Sequence, residues 1–471
     1  MSNELYALGY FSAAALLVAL LLIGVQLLFL ALEQRYPGAM LKLVPGLICL
    51  GIAASTLLSG RNLKFASLDI GSINAAEGGG GASGRLITAL VLAICFAKIA
   101  SHLLRIKRAG DQRIVGGGEI FATLALYFIC SNVLPAVFGT QPTFVLNSFY
   151  AIFVFWAFFM ARASVTLSAI LAARNALTAL IMGSLLAAVV LPRLAIQPNY
   201  DGWIPGFTIR LWGLGSHANS IGPLALVTAL LLYFAPYQSR ALSLLAWIST
   251  FVAFVLAQSK TAWAIGLGCG LLLAFWGRGR TADGRLRPGY VVFLLALTLI
   301  GAAFVLAFDW NSFVRLFATD KAGAELSTLT GRTAIWSEAV RTWMANVWFG
   351  YGPDAWGPAH RARIGMPFAF HAHNQLMQSL SATGLLGAFS MLAHMGTMLI
   401  ASWRAASPTR GVSMAIAMLM FVRALSEAPF GLGNLYVGET LTQVVWFLLV
   451  LLPFQTANDR QSVRSSLKEG V

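Results

Sequence analysis

Charge is what this sequence has least of. Only 10% of its 471 residues are Asp, Glu, Lys or Arg, against roughly a quarter in soluble domains, so a water-solvated globule is excluded. Carboxylates are scarcer than cations, 17 against 32, and their spacing assembles no acidic metal site. Asp309, Asp320, Glu325, Glu338 and Asp354 are scattered along one stretch, while Glu427 and Glu439 flank a short turn and stay open as contributors. The four cysteines (Cys49, Cys95, Cys130, Cys269) all lie inside apolar runs; without ligand spacing they read as small packing residues. The first apolar run, about Leu8 to Leu32, is too long for a signal-peptide core and lacks a basic start and a cleavage site. It is expected to be a retained helix. No Gly-Lys-Ser/Thr follows Gly78 to Gly81, so that run reads as a linker and not as a phosphate loop.

Apolar length is what the chain has in quantity. Hydrophobic residues make up 58%, and uninterrupted runs recur from Ala13 to Leu452. Inside a bilayer every backbone polar group must pair within the chain, which leaves helices or closed barrels. Runs of about 17–25 residues without two-residue alternation select helices. They fall near 10–31, 41–58, 86–104, 116–138, 143–161, 166–191, 219–236, 241–258, 261–276, 289–307, 375–402, 411–428 and 440–455. The expected fold is an all-α polytopic membrane protein, one membrane domain over 1–471 with 12–13 transmembrane helices.

Orientation follows from the basic loops. Arg105 to Arg113, Arg278 to Arg287, Arg404 with Arg410, and the tail Arg460, Arg464 and Lys468 share one side. That side carries 17 Lys/Arg against 12 opposite, so it is cytoplasmic by the positive-inside rule. The +15 net charge is thereby a matter of topology, and nucleic acid is not an expected partner. Two long segments then lie outside, 192–218 and 308–374. The second contains Trp310, Trp336, Trp343, Trp348 and Trp356 among charged residues, a mixture expected of short interfacial helices.

Cations on the outer face are the ones topology does not explain. Arg210 precedes a span within Arg210-Leu-Trp-Gly213-Leu-Gly215-Ser-His217-Ala-Asn219, and Lys260 sits in a tight outer hairpin. Arg332 opens Gly331-Arg332-Thr-Ala-Ile-Trp336, Arg341 follows, and His371-Ala-His373-Asn374 stands at the mouth of the next span. Each alone is equally well read as a residue snorkelling to headgroups, or in the case of Arg332 pairing with Glu338. Together they make an anion site: guanidinium forks and an ammonium can hold a lipid diphosphate and stabilise charge on it as it leaves. A histidine near neutral pKa can take a proton from an attacking hydroxyl. His371 and His373 are two apart, which on a helix points them to different faces. With no third His or Cys near, and Asp354 the nearest preceding carboxylate, no metal and no other cofactor is expected. His102 and His394, in or beside apolar runs, read as structural.

At these residues the chain resembles the O-antigen ligase and polymerase superfamily of bacterial envelope membrane proteins. The resemblance is carried by the Arg210 to Asn219 stretch, Ser259-Lys260, Gly331 to Trp336, Gly350-Tyr-Gly352, His373-Asn374 and the turn Gly384-Leu-Leu-Gly387. It covers about Ile209 to Ile400. Lys260 stands where many relatives carry Arg, replacing a fork by a point charge. The resemblance implies a GT-C-like fold in the bacterial inner membrane and an inverting, metal-independent glycosyl transfer on the periplasmic face. The implied donor is a polyprenyl-diphosphate-linked glycan, and in the ligase branch the acceptor is a sugar hydroxyl of lipid A-core. By resemblance Arg210, Lys260 and Arg332 would hold the diphosphate and His373 would orient or deprotonate the acceptor. Asn374, His217, Arg341, Trp336 and His371 rank second.

Two other readings compete. A polymerase or a protein O-oligosaccharyltransferase would share the donor and differ in acceptor; the chain shows no appended soluble domain for gripping a protein. A transporter would use the intramembrane Lys98, Arg174 and Arg423 as a solute path, yet no repeat halves are visible.

Overall fold

The computed structural model describes residues 2–65, 82–105, 117–200, 204, 206–276, 332–367 and 369–454. Among them the chain is almost entirely helical, as a lipid-embedded backbone requires. The helices are α1 (Ser2–Arg35), α2 (Val44–Leu58), α3 (Ala82–Arg105), α4 (Gly118–Phe128), α5 (Leu134–Phe138), α6 (Ala151–Phe159), α7 (Ala163–Val190), α8 (Pro192–Ala195), α9 (Ala218–Phe234), α10 (Arg240–Leu256), α11 (Lys260–Trp276), α12 (Arg332–Met344), α13 (Pro358–Arg363), α14 (Gln375–Ala405), α15 (Val412–Ala424) and α16 (Gly438–Leu451). A π turn over Ile129–Val133 joins α4 to α5. Six helical stretches are long and apolar enough to cross a membrane: Leu16–Arg35, Met40–Leu58, Gly84–Leu104, Gly118–Phe138, Ala163–Val190 and Gln375–Ala405. Shorter apolar helices occupy the positions of six further expected runs; the run at 289–307 lies outside the described residues, as does 308–331 of the outer segment.

α16 is the buried centre. Every residue from Thr440 to Leu451 is buried, and Trp446, Phe447, Phe155, Phe158 and Phe430 are the largest fully enclosed side chains. α6, α7, α9, α14 and α15 pack around it. α1 is the opposite case: Leu16 to Leu22 are more than half exposed. A helix apolar on every side is a lipid-facing span.

The three intramembrane cations each have partners. Lys98 on α3 pairs with Glu33 of α1 at 3.3 Å, both buried. Arg423 at the end of α15 pairs with Glu439 of α16 at 2.8 Å. Arg174 on α7 lies 4.0 Å from the Tyr237 ring centre and donates to the Ala235 and Pro236 carbonyls, closing the C-terminus of α9. Charges held in this way, buried at Lys98 and Arg423 and half-buried at Arg174, tie neighbouring helices together, and this structural role takes away the residues a transport path would need.

Two backbone features position the outer segment. Gly384 breaks α14, with φ +65° and ψ −164°, a conformation closed to residues with a Cβ. A Cβ there would meet the Trp348 carbonyl at 2.4 Å. Val347 to Gly352 fills the break: Leu385 and Leu386 donate to the Val347 and Trp348 carbonyls, and Tyr351 and Gly352 donate to those of Ser381 and Ala382. Gly350, at φ +68°, lies against the Ala382–Gly384 backbone for the same reason. The Gly-x-Gly element and the Gly384 turn are thus two halves of one joint. α12 packs on α14 above it, with Ile335, Ala339, Tyr351, Trp356, Ala369 and Ala372 among a small second core.

Candidate active site

The shorter outer segment is folded around Arg61. Its guanidinium is buried, donates to the carbonyls of Leu194, Gly213, Gly215 and Ser216, and lies 5.3 Å from the Trp212 ring centre. Burial lowers its pKa to about 10. Ile196–Gln197 pairs antiparallel with Arg210–Leu211 in this frame, which presents Arg210 towards the ends of α9 and α11. Arg210 Nε donates to the Ala257 carbonyl, and the ring of Tyr200 lies 4.6 Å from its guanidinium carbon. Gln258 donates back to the Ile209 carbonyl at 2.7 Å. These two bonds tie the Gln258-Ser259-Lys260 hairpin to the Arg210 strand, so Lys260, the first residue of α11, starts its helix beside Arg210.

His217 and Asn374 cap helices. His217 Nδ1 accepts the Asn219 amide at the start of α9, and its ring packs on Trp212 at 4.2 Å. Burial and the neighbouring Arg210 charge hold His217 near pKa 3, so it is neutral. Asn374 Oδ1 accepts the Met377 amide at the start of α14. Trp336, one turn into α12, donates to the Ala372 carbonyl at 2.9 Å. Arg332 is four residues earlier, on the same side of the helix as Trp336.

Three sequence expectations are corrected. His371 and His373 are not on a helix: His373 has φ +48°, and the turn sets the two rings 4.1 Å apart. A carboxylate does reach them. Glu427 Oε2 lies 3.2 Å from His371 Nε2 and 3.4 Å from His373 Nδ1. α15 ends at Ala424, short of the expected 428, which leaves Glu427 free in the outer turn to do so. Arg341, rather than Arg332, pairs with Glu338, at 2.9 Å and largely exposed. Nine residues from Arg332 is two and a half helical turns, so Arg341 leaves the opposite side of α12 and does not join this cluster.

Glu427 and Asn219 are the residues that sequence reasoning left unassigned. Asn219 Nδ2 donates to Glu427 Oε1 at 3.2 Å, and Arg210 donates to Asn219 Oδ1 at 2.7 Å. One chain of contacts therefore runs from Arg210 through Asn219 and Glu427 to both histidines. Burial by itself raises the pKa of Glu427; the His373 ring facing it and the charges of His371 and Arg423 outweigh that and hold it near 2. Burial and the neighbouring His373 lower His371 to about 4.

His371, His373 and Glu427 also form a group with metal-ligand geometry, the donor atoms lying within 4.8 Å of one another. Their protonation does not fit a metal. His371 Nδ1 accepts the His373 backbone N–H at 3.1 Å, so the neutral ring carries its proton on Nε2, the atom that would have to give a lone pair. The nearby Arg210 and Arg423 also disfavour a further cation. What the cluster offers instead is a cationic edge where Arg210, the Lys260 hairpin and the N-termini of α9, α11 and α14 come together, beside a carboxylate-held imidazole.

A family model described as O-antigen ligase matches residues 241–392, from α10 into α14. The match, over about a third of the chain, supports the resemblance to the O-antigen ligase and polymerase superfamily. The matched span holds Lys260, Arg332 and the His371–Asn374 turn; Arg210, Asn219 and Glu427 lie outside it. A comparison with curated proteins finds no match.

Proposed function

We propose that this protein is an O-antigen ligase that moves a glycan from a polyprenyl diphosphate carrier to a sugar hydroxyl of lipid A-core at the periplasmic face of the inner membrane. The observation that carries the reading is the chain Arg210–Asn219–Glu427–His371/His373, which links an anion-binding guanidinium to a base. In this reading Arg210, Lys260 and Arg332 hold the diphosphate. The acceptor oxygen attacks the anomeric carbon from the face opposite the leaving group, the bond from that carbon to the diphosphate oxygen breaks, and the configuration inverts. His373 takes the hydroxyl proton, and the cations and helix N-termini stabilise the charge arriving on the departing polyprenyl diphosphate. With that charge neutralised by fixed cations, no metal ion is required.

The test is transfer in vitro by the purified protein, given lipid-linked glycan and lipid A-core. His373→Ala is expected to lower kcat by about 100-fold or more while the protein still inserts; near-normal turnover would remove the base role. Growth of carrier-linked glycan without transfer to the core would make the protein a polymerase.

A further inference from the structure

Glu427 faces both histidines with a single oxygen, and the contacts and burial of the ring nitrogens around it bear on which one carries each proton. His371 Nδ1 accepts a backbone N–H, so His371 donates from Nε2 to Glu427 Oε2. The same oxygen faces His373 Nδ1 at 3.4 Å. That nitrogen is buried and makes no formed hydrogen bond, while the His373 side chain as a whole keeps 28% of its surface exposed. The open part of the ring is the part turned away from Nδ1. A buried nitrogen against a carboxylate is the protonated one, which leaves the lone pair on the open Nε2. The other carboxylate oxygen is held by Asn219, whose own oxygen is held by Arg210. The left-handed backbone at His373 costs on the order of 1 kcal/mol, and it is this conformation that brings the second ring round to Glu427.

We infer that Glu427 is a positioning residue for the reaction: it fixes His373 with its proton on Nδ1 and its basic Nε2 lone pair turned outward, and Asn219 fixes the carboxylate in turn against the diphosphate-binding Arg210. The inference rests on the transferase reading, in which His373 receives the acceptor's proton. It adds a carboxylate that never touches substrate, and a mechanical link between the donor and acceptor halves of the site. A base in the wrong tautomer presents an N–H where a lone pair is needed, so the loss falls on the chemical step and spares donor binding.

The experiment uses the full-length protein in detergent with ¹⁵N-labelled histidine, the six histidines being assigned by single replacements. In the wild type His373 should show a protonated Nδ1 and a bare Nε2, and His371 the reverse. Glu427→Gln should return His373 to the commoner Nε2–H form and lower kcat by about 100-fold, with the donor KM within about threefold of wild type. Glu427→Asp keeps the charge and should recover part of that loss together with the Nδ1–H signal. The inference is overturned by an Nε2–H His373 in the wild type, a spectrum readable whether or not the variants fold. It is equally overturned if folded E427Q turns over normally, or loses rate only through a raised donor KM. Because the spectra need no turnover, a protein inactive with every acceptor would sink the transferase reading and not the tautomer assignment.

Discussion

The two histidines of the outer turn have different protonation tasks despite standing two residues apart. His371 has its Nδ1 committed to the backbone and its Nε2 to Glu427, so no lone pair remains for catalysis. His371→Asn is therefore expected to reduce transfer by about tenfold, well short of the loss at His373, because general-base catalysis itself contributes about 10²–10⁴-fold. Equal losses at the two positions would show that the assignment of roles is wrong. The same residues give a signed pH dependence of stability. His217 and His371 have folded pKa values depressed to about 3 and about 4, so below the ordinary histidine value the unfolded chain binds more protons. Glu427, depressed to about 2, acts in the same direction at lower pH: its contribution is full above the ordinary carboxylate range and is lost progressively as pH falls from that range down through about 2. The thermal midpoint in detergent should fall as pH drops from 7 towards 4, and His217→Asn, which can still cap α9, should flatten the upper part of that slope. A midpoint that rises on acidification would contradict the burial of these rings.

At the scale of elements, the joint between Val347–Gly352 and the broken α14 carries the outer segment. Gly384 adopts a conformation and a closeness to Trp348 that no Cβ allows. Gly384→Ala should cost more than the roughly 1 kcal/mol of a left-handed alanine, because the obstructing atoms are backbone and cannot rotate away. The readout is a lowered thermal midpoint together with faster proteolysis between α12 and α14; an unchanged midpoint would mean that the joint adapts. The helices themselves were legible from the sequence, since lipid demands apolar length and the runs supply it. The helix breaks were not. A run such as Gln375 to Ala405 looks continuous because its Gly384 kink is defined by the Val347–Gly352 segment, which lies earlier in the chain. Glu427 is obscured for a related reason: the apolar run 411–428 takes it in at its end, and the stop of α15 at Ala424 leaves it in the turn that reaches the histidines. Arg341 was overvalued because membership of one loop is a weaker constraint than the side of a helix, and nine residues along α12 reverses that side.

At the scale of the whole molecule, the cations of the site acquire meaning only from the orientation of the bundle. The N-termini of α9, α11 and α14 lie at the same end as Arg210, Lys260 and the His371–His373 turn, so helix dipoles and side chains favour an anion at one membrane face. The opposite end carries Arg240 at the start of α10 and Arg404 at the end of α14, part of the basic excess that marks a cytoplasmic side. Both statements reduce to one measurable sidedness. All four native cysteines are buried, so they should react little with an impermeant maleimide and leave a low background. A cysteine replacing exposed Ala362 on α13 should label in intact spheroplasts, whereas one replacing exposed Ser407 beyond α14 should label only after lysis. The reverse pattern would put the Arg210–Glu427 cluster at the cytoplasmic face, out of reach of lipid A-core acceptors on the far side, and would remove the ligase reading even if every contact within the cluster were correct.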